Sequence, residues 1–179
     1  MKRIFFNMML LAGLLSLTSC IKQIDKTFTG AAVVEFDATV VNSVTSPYTY
    51  HVATRTPPFG IPTTTANSTA ITRTLTTPVK LRVNLVGAQL AKEEVLEYKV
   101  LTDVTPSSPN LLAVQGAHFN TGTKVTIPAN SSFGEITIDV LNTGTSSTSP
   151  REVHLELVGN ASIKPSENYK KVGIRIAQN

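Results

Sequence analysis

The chain has 179 residues, with 16 Lys plus Arg against 12 Asp plus Glu, for a formal charge of +4. Only 16% of residues are charged and 6% aromatic; there is no Trp, and a single Cys excludes an internal disulfide and a Cys-based zinc site. Hydroxyl residues are abundant instead, 25 Thr and 14 Ser, and the Thr and Val content favours strands over helices.

Lys2 and Arg3 form a short basic head, and an apolar run follows from Ile4 to Leu17, broken only by Asn7, Gly13 and Ser16. Its 14 residues fall short of the roughly 20 a membrane-spanning helix needs. The pattern predicts a cleaved signal peptide over residues 1–19. Leu17-Thr18-Ser19-Cys20 resembles the bacterial lipobox, with Leu at −3, small residues at −2 and −1, and then Cys. The resemblance implies a thioether-linked diacylglycerol on Cys20, cleavage before Cys20 and acylation of the new amino group. The alternative is an uncleaved apolar segment that happens to end in Cys. One acyl chain binds a membrane only marginally, at about 0.8 kcal/mol per buried methylene, whereas three chains make attachment effectively permanent.

Cleavage also changes the charge. Without Lys2 and Arg3, 14 basic residues face 12 acidic ones, and the densest remaining basic pair is Lys170-Lys171. Nothing there tracks a phosphate backbone, so no nucleic-acid partner is expected.

Residues 20–30 read as a tether without a clear period, and at most roughly 35 Å of reach keeps the folded domain near the bilayer. From Ala31 onward the period is two. Val34, Phe36, Ala38 and Val40 alternate with Glu35, Asp37 and Thr39, predicting one strand through Val40. Val79, Leu81, Val83 and Leu85 make a half-buried strand. So do Val125 with Ile127, then Ile136, Ile138 and Val140, then Val153, Leu155 and Leu157, and finally Val172, Ile174 and Ile176. Residues 88–101 fit either a helical stripe or a strand; the reading adopted is a turn or short helix near 88–94 and a strand over 95–101. Turn signals at Ser46-Pro47, Pro128-Ala129-Asn130, Asn142-Thr143-Gly144, Gly159-Asn160 and Lys164-Pro165 separate these runs. The expected fold is all-β: one antiparallel Ig-like β-sandwich of about 7–9 strands over residues 31–179. A long Thr/Pro-rich loop near 54–77 stands out as functional or mobile, with Ala70, Ile71 and Leu75 as candidates for a strand within it.

From Val79 to Ala177 the pattern resembles a known family. The residues are Val79–Gly87, Glu97-Tyr98-Lys99-Val100, Ala113–Phe119, Val125–Ser132 and Ile163–Lys171. Together they resemble the DUF4843-type lipoproteins of the Bacteroidota, relatives in pattern of Calx-beta-like sandwiches. The resemblance implies an Ig-like sandwich on a lipid anchor, often encoded beside outer-membrane nutrient-uptake systems, and no established activity. Calx-beta domains proper bind calcium through an acidic pair after the strand matching Ile136–Leu141. Here that position reads Asn142-Thr143-Gly144-Thr145, so no metal site is expected.

Catalytic constellations find little support. There is no Gly-x-Ser-x-Gly elbow, no His-Glu-x-x-His pair and no phosphate-cradling loop. His51, His118 and His154 are far apart in sequence; His154 alternates outward and His118 sits in a turn, so both read as surface or turn residues. Glu93-Glu94 reads as a solvated face, not a glycosidase pair. Tyr48 and Tyr50, at i and i+2, would share a strand face, with Phe59 in the Pro-rich loop, and these three are the candidate contact residues. Ordinary packing is the competing explanation for the aromatic pair.

The sequence therefore predicts a non-enzymatic envelope protein with no cofactor, held to the outer membrane through Cys20, that binds a glycan or an envelope protein in nutrient uptake. The alternative is a structural subunit or anchor of a surface assembly built by strand addition at a free sheet edge. An enzyme is the third reading, and a cleft holding a His with a carboxylate in hydrogen-bond reach would support it. Ile21-Lys22-Gln23-Ile24 stands where surface-export signals place acids, leaving both the cell surface and the periplasmic face open.

Overall fold

Strands that alternate apolar and polar residues can bury one face each, and here they do so against one another in two layers. The computed structural model describes residues 30–179; the signal peptide, the lipobox Leu17-Thr18-Ser19, Cys20 and the tether up to residue 29 lie outside the described residues. The elements are β1 (Val33–Phe36), α1 (Ala38–Val41), β2 (Val52–Ala53), β3 (Val79–Val86), β4 (Glu94–Val100) and β5 (Leu111–Leu112), then β6 (Phe119–Thr121), β7 (Lys124–Ile127), β8 (Phe133–Val140), β9 (Arg151–Gly159), β10 (Lys164–Pro165) and β11 (Lys171–Ile176). One sheet runs β10-β1-β3-β8-β6; the other runs β2-β11-β9-β4-β7, with β5 added beside β9. Pairing is antiparallel wherever two longer strands meet. The two-residue strands β10, β2 and β5 join in parallel, so both sheets are mixed.

The alternation read from the sequence sets the core. Val79, Leu81, Val83 and Leu85 of β3 face Leu96 and Tyr98 of β4, Val153, Leu155 and Leu157 of β9, and Val172, Ile174 and Ile176 of β11 in one cluster. Each such side chain stabilises the fold by about 1.5–3 kcal/mol on burial. The strand expected over 95–101 is present as β4, preceded by irregular, bent backbone and no helix.

The first strand ends earlier than expected. Asp37 leaves the extended conformation and its Oδ1 accepts from Thr39 N at 3.1 Å, capping the one-turn helix α1. The helical turn, not strand alternation, delivers Val40 and Val41 to the core. The 54–77 segment is also better ordered than a loop. Single bridges join Arg55 to Ala70 and Thr72 to Ala177, and Ile71 is buried at 1% exposure. Arg55 Nε donates to Ser68 Oγ at 2.8 Å, and Asn67 Oδ1 accepts from Thr64 N at 2.8 Å.

Register places the two ends of the sandwich. Val33 pairs with Val86 and Lys164, Asn84 with Phe133, and Glu94 with Ile127, so β1 and β4 both enter at the end where the chain emerges from residue 30. β4 runs away from that end, and the 101–110 segment leaves from the far one. At the sheet edge formed by β7, the backbone of β8 closes in from the other layer: a Cβ on Gly134 would overlap the Thr126 carbonyl. That crowding accounts for glycine at this position.

Candidate functional site

On β9, Val153, Leu155 and Leu157 point into the core, which directs Glu152, His154 and Glu156 to the outer face of the second sheet. An outward His154 agrees with the alternation, but its environment does not match a surface residue: Glu152 and His154 are both 0% exposed. The surface reading of His154 is therefore corrected to a buried one. The 42–51 segment folds over this face and seals it. Its turn is self-braced, with Tyr48 N donating to Thr45 O at 2.8 Å, Thr45 N to Tyr50 O at 3.0 Å, and Val52 N to Thr45 Oγ1 at 3.0 Å.

Tyr48 and Tyr50 are not on a strand, yet their rings stack, with centroids 5.4 Å apart and planes at 22°. Both rings pack on the His154 imidazole, at 4.9 and 5.8 Å. Their hydroxyls reach the buried groups: Tyr48 donates to Glu152 Oε2, and the Tyr50 oxygen lies 3.2 Å from His154 Nδ1. The other Glu152 oxygen accepts from Arg175 Nε and Nη2, each at 2.8 Å, and from Asn110 Nδ2 at 3.0 Å. A buried carboxylate thus has its charge partner and its lone pairs satisfied. His154 Nε2 lies 3.3 Å from Glu152 Oε2 but off hydrogen-bond alignment. A proton assigned to Nε2 leaves Nδ1 to accept from Tyr50.

Space for the imidazole comes from Gly173 of β11, which pairs with His154. Burial pushes the His154 pKa down despite the opposing pull of Glu152, so the ring is neutral at pH 7. Burial, then contact with Glu152, pushes the Tyr48 pKa up to about 12, and Tyr50 reaches about 12 mainly by burial. His51 and His118 also shift down by burial, and bond elsewhere, to Ser43 and Val114 respectively.

Beside the tyrosines opens a cleft of about 520 Å³, lined by Pro47, Tyr48, Thr49, Tyr50 and the 99–104 segment, with Glu156 and Lys171 at its side. Lys99 Nζ is 3.1 Å from Glu156 Oε2 and Lys171 Nζ is 3.9 Å from Oε1. Tyr48 and Tyr50 are brought together, by a turn and not by the shared strand face expected for them, while Phe59 is not with them. Phe59 lies 5.9 Å from the guanidinium of Arg82 on the first sheet, which stacks at 3.8 Å on Phe133. Asp37 Oδ2 accepts from Gly60 N at 2.8 Å and holds the Pro-rich turn there.

No local sequence pattern marks Glu152, Arg175 or Asn110 as members of this network. Gly173, a glycine within a well-patterned central strand, is the available signal, because such a residue marks a close approach. Asn142, where the calcium comparison expected an acid, accepts from Arg73 Nη1 at 2.6 Å.

No family model and no curated protein matches the sequence. Among solved structures, the chain is similar to the apo form of the Calx CBD1 domain, at 12% identity and a TM-score of 0.51, over 84% of this chain and 99% of that one. The fold is a Calx-beta-like sandwich. A two-domain protein of unknown function from Bacteroides fragilis is also similar, at 7% identity and a TM-score of 0.50, over 82% of this chain and 45% of that one. The chain thus spans less than half of that second protein.

Proposed function

We propose that the protein is a lipid-anchored, non-enzymatic module of the bacterial outer membrane, of the DUF4843 type, that binds a glycan or an envelope protein of a nutrient-uptake system. The observation that carries the binding reading is the stacked Tyr48–Tyr50 pair, fixed from beneath by the Glu152–Arg175–Asn110 network and lining an open cleft. Aromatic faces held rigidly lose little freedom on binding. The 54–77 segment, by contrast, is braced by its own bonds and by Asp37.

A His within 3.3 Å of a carboxylate is the constellation that would have favoured an enzyme. Here His154 is sealed from solvent, and the Tyr50 pKa is raised, so the hydroxyl that touches the imidazole is a poor base at neutral pH. Strand addition needs a long free edge. The edge strands β10, β6, β2 and β7 have only two to four residues, which supports binding over assembly by strand addition.

Pulldown of envelope components on residues 21–179, compared with Tyr48→Ala, tests the cleft; equal capture by both proteins would remove it as the contact surface. Replacing Cys20 with Ala should release the protein from membranes, and membrane retention of that variant would overturn the anchor.

A further inference from the structure

Resting on that reading, we infer that the cleft beside Tyr48 and Tyr50 takes a neutral, hydroxyl-rich ring ligand, a saccharide without acidic groups. The charges that line it set the class. Lys99 and Lys171 both face Glu156. Lys170, the remaining ammonium near Glu156 at 4.0 Å, is paired more closely with Glu167 at 2.7 Å. Asp103 then balances the charge that Lys99 and Lys171 leave over, and the cleft carries two acids against two bases. The lining thus sums to zero charge and gives no overall attraction to an anionic or a cationic ligand.

The hydrogen-bonding groups point the same way. Asp103 is exposed, lines the cleft, and has no hydrogen bond or ion pair among the described residues. A carboxylate of this kind accepts from two neighbouring hydroxyls of one ring. Thr49 and Thr102 are exposed in the same lining and add hydroxyls that donate or accept as needed. Tyr48 and Tyr50, half-buried in the same lining, add ring carbon suited to the C–H face of a sugar. The volume of about 520 Å³ falls within the roughly 300–1,000 Å³ of small-molecule sites.

The sandwich over residues 30–179 holds the whole of the described core, so the test uses residues 21–179 without the lipid. Affinity electrophoresis is run through gels containing neutral polysaccharides (starch, mannan, xylan, mixed-linkage glucan) or acidic ones (polygalacturonate, chondroitin sulfate). The expected result is retardation by at least one neutral polymer, weakened at least tenfold by Asp103→Ala and by Thr49→Ala with Thr102→Ala. Both sets of changes are on exposed residues and leave the fold intact by circular dichroism. Retardation only by acidic polymers, or by none, overturns the neutral-saccharide assignment. A protein captured through Tyr48 would then still uphold the binding module. Retardation unchanged by the Asp103 and Thr variants overturns the cleft as the saccharide site.

Discussion

A Cβ placed on Gly173 would lie 2.9 Å from Nδ1 of His154, the residue it pairs with across β11 and β9, and equally close to Val52 Cγ2. The absent side chain is the space in which the imidazole lies. Gly173→Ala forces either the histidine or β2 to move, and overpacking of this kind costs about 1–3 kcal/mol. Urea unfolding should show that loss. Adding His154→Ala to Gly173→Ala should recover part of it, giving a double-mutant coupling outside additivity. Strict additivity would mean that Val52, not His154, is the crowded partner.

Glu152 is the hub beneath the tyrosines, bonded to Tyr48, Arg175 and Asn110. Removing one member of a buried pair leaves the other charge without compensation, at about 3–5 kcal/mol. Arg175→Ala leaves the fully buried Glu152 carboxylate uncompensated and should therefore unfold at markedly lower denaturant, whereas Glu152→Ala leaves a partly exposed guanidinium and should cost less. Near-UV circular dichroism of the tyrosines should weaken in Glu152→Ala before global unfolding, because Tyr48 loses its acceptor. An unchanged tyrosine signal would show that the stack holds itself together.

Much of this architecture can be read from residue order alone, and the misreadings have a common cause. β3, β8, β9 and β11 follow local alternation, which depends only on which sheet face is apolar. His154 fits the same alternation and points outward as expected. Its burial comes from Tyr48 and Tyr50, whose hydroxyls reach β9 from 104 residues away in sequence, and no local period encodes that cover. Val40 fits a strand pattern as well as it fits a helical turn. Only the capping bond of Asp37, a residue with a known preference for that position, separates the two. Phe59 lies near the tyrosines in sequence, yet the hydrogen bond from Gly60 to Asp37 draws it to the first sheet.

That bond can be tested directly. Asp37→Ala removes the cap of α1 and the acceptor of Gly60 N together. Loss of a cap costs about 1 kcal/mol, and the Pro-rich turn loses its only side-chain tie to β1's end among the described residues. Limited proteolysis within 57–67 should speed up several-fold, and Asp37→Asn, which keeps an acceptor oxygen, should restore much of the protection. Cleavage unchanged in Asp37→Ala would show that Arg55 and Asn67 suffice to hold the segment.

Stability should also depend on pH. His154 has its pKa lowered from 6.5 by burial, so the unfolded chain takes up a proton before the folded one. A depressed folded pKa gives stability that is complete above the unfolded value and is lost as pH falls below about 6.5 toward the folded pKa. His51 and His118 shift in the same direction and add to this loss. Glu35, raised by burial, acts with the opposite sign: its contribution favours the folded state as pH falls through its raised value toward 4.5. As pH falls from 7.5 to 5.5 the three histidines lower stability and Glu35 works against them. The share of His154 is read by comparing the wild type with His154→Asn, which does not titrate. Denaturant midpoints across that range should fall more steeply for the wild type. Equal slopes would mean that Glu152, 3.3 Å from Nε2, offsets burial and keeps the His154 pKa near that of a free histidine.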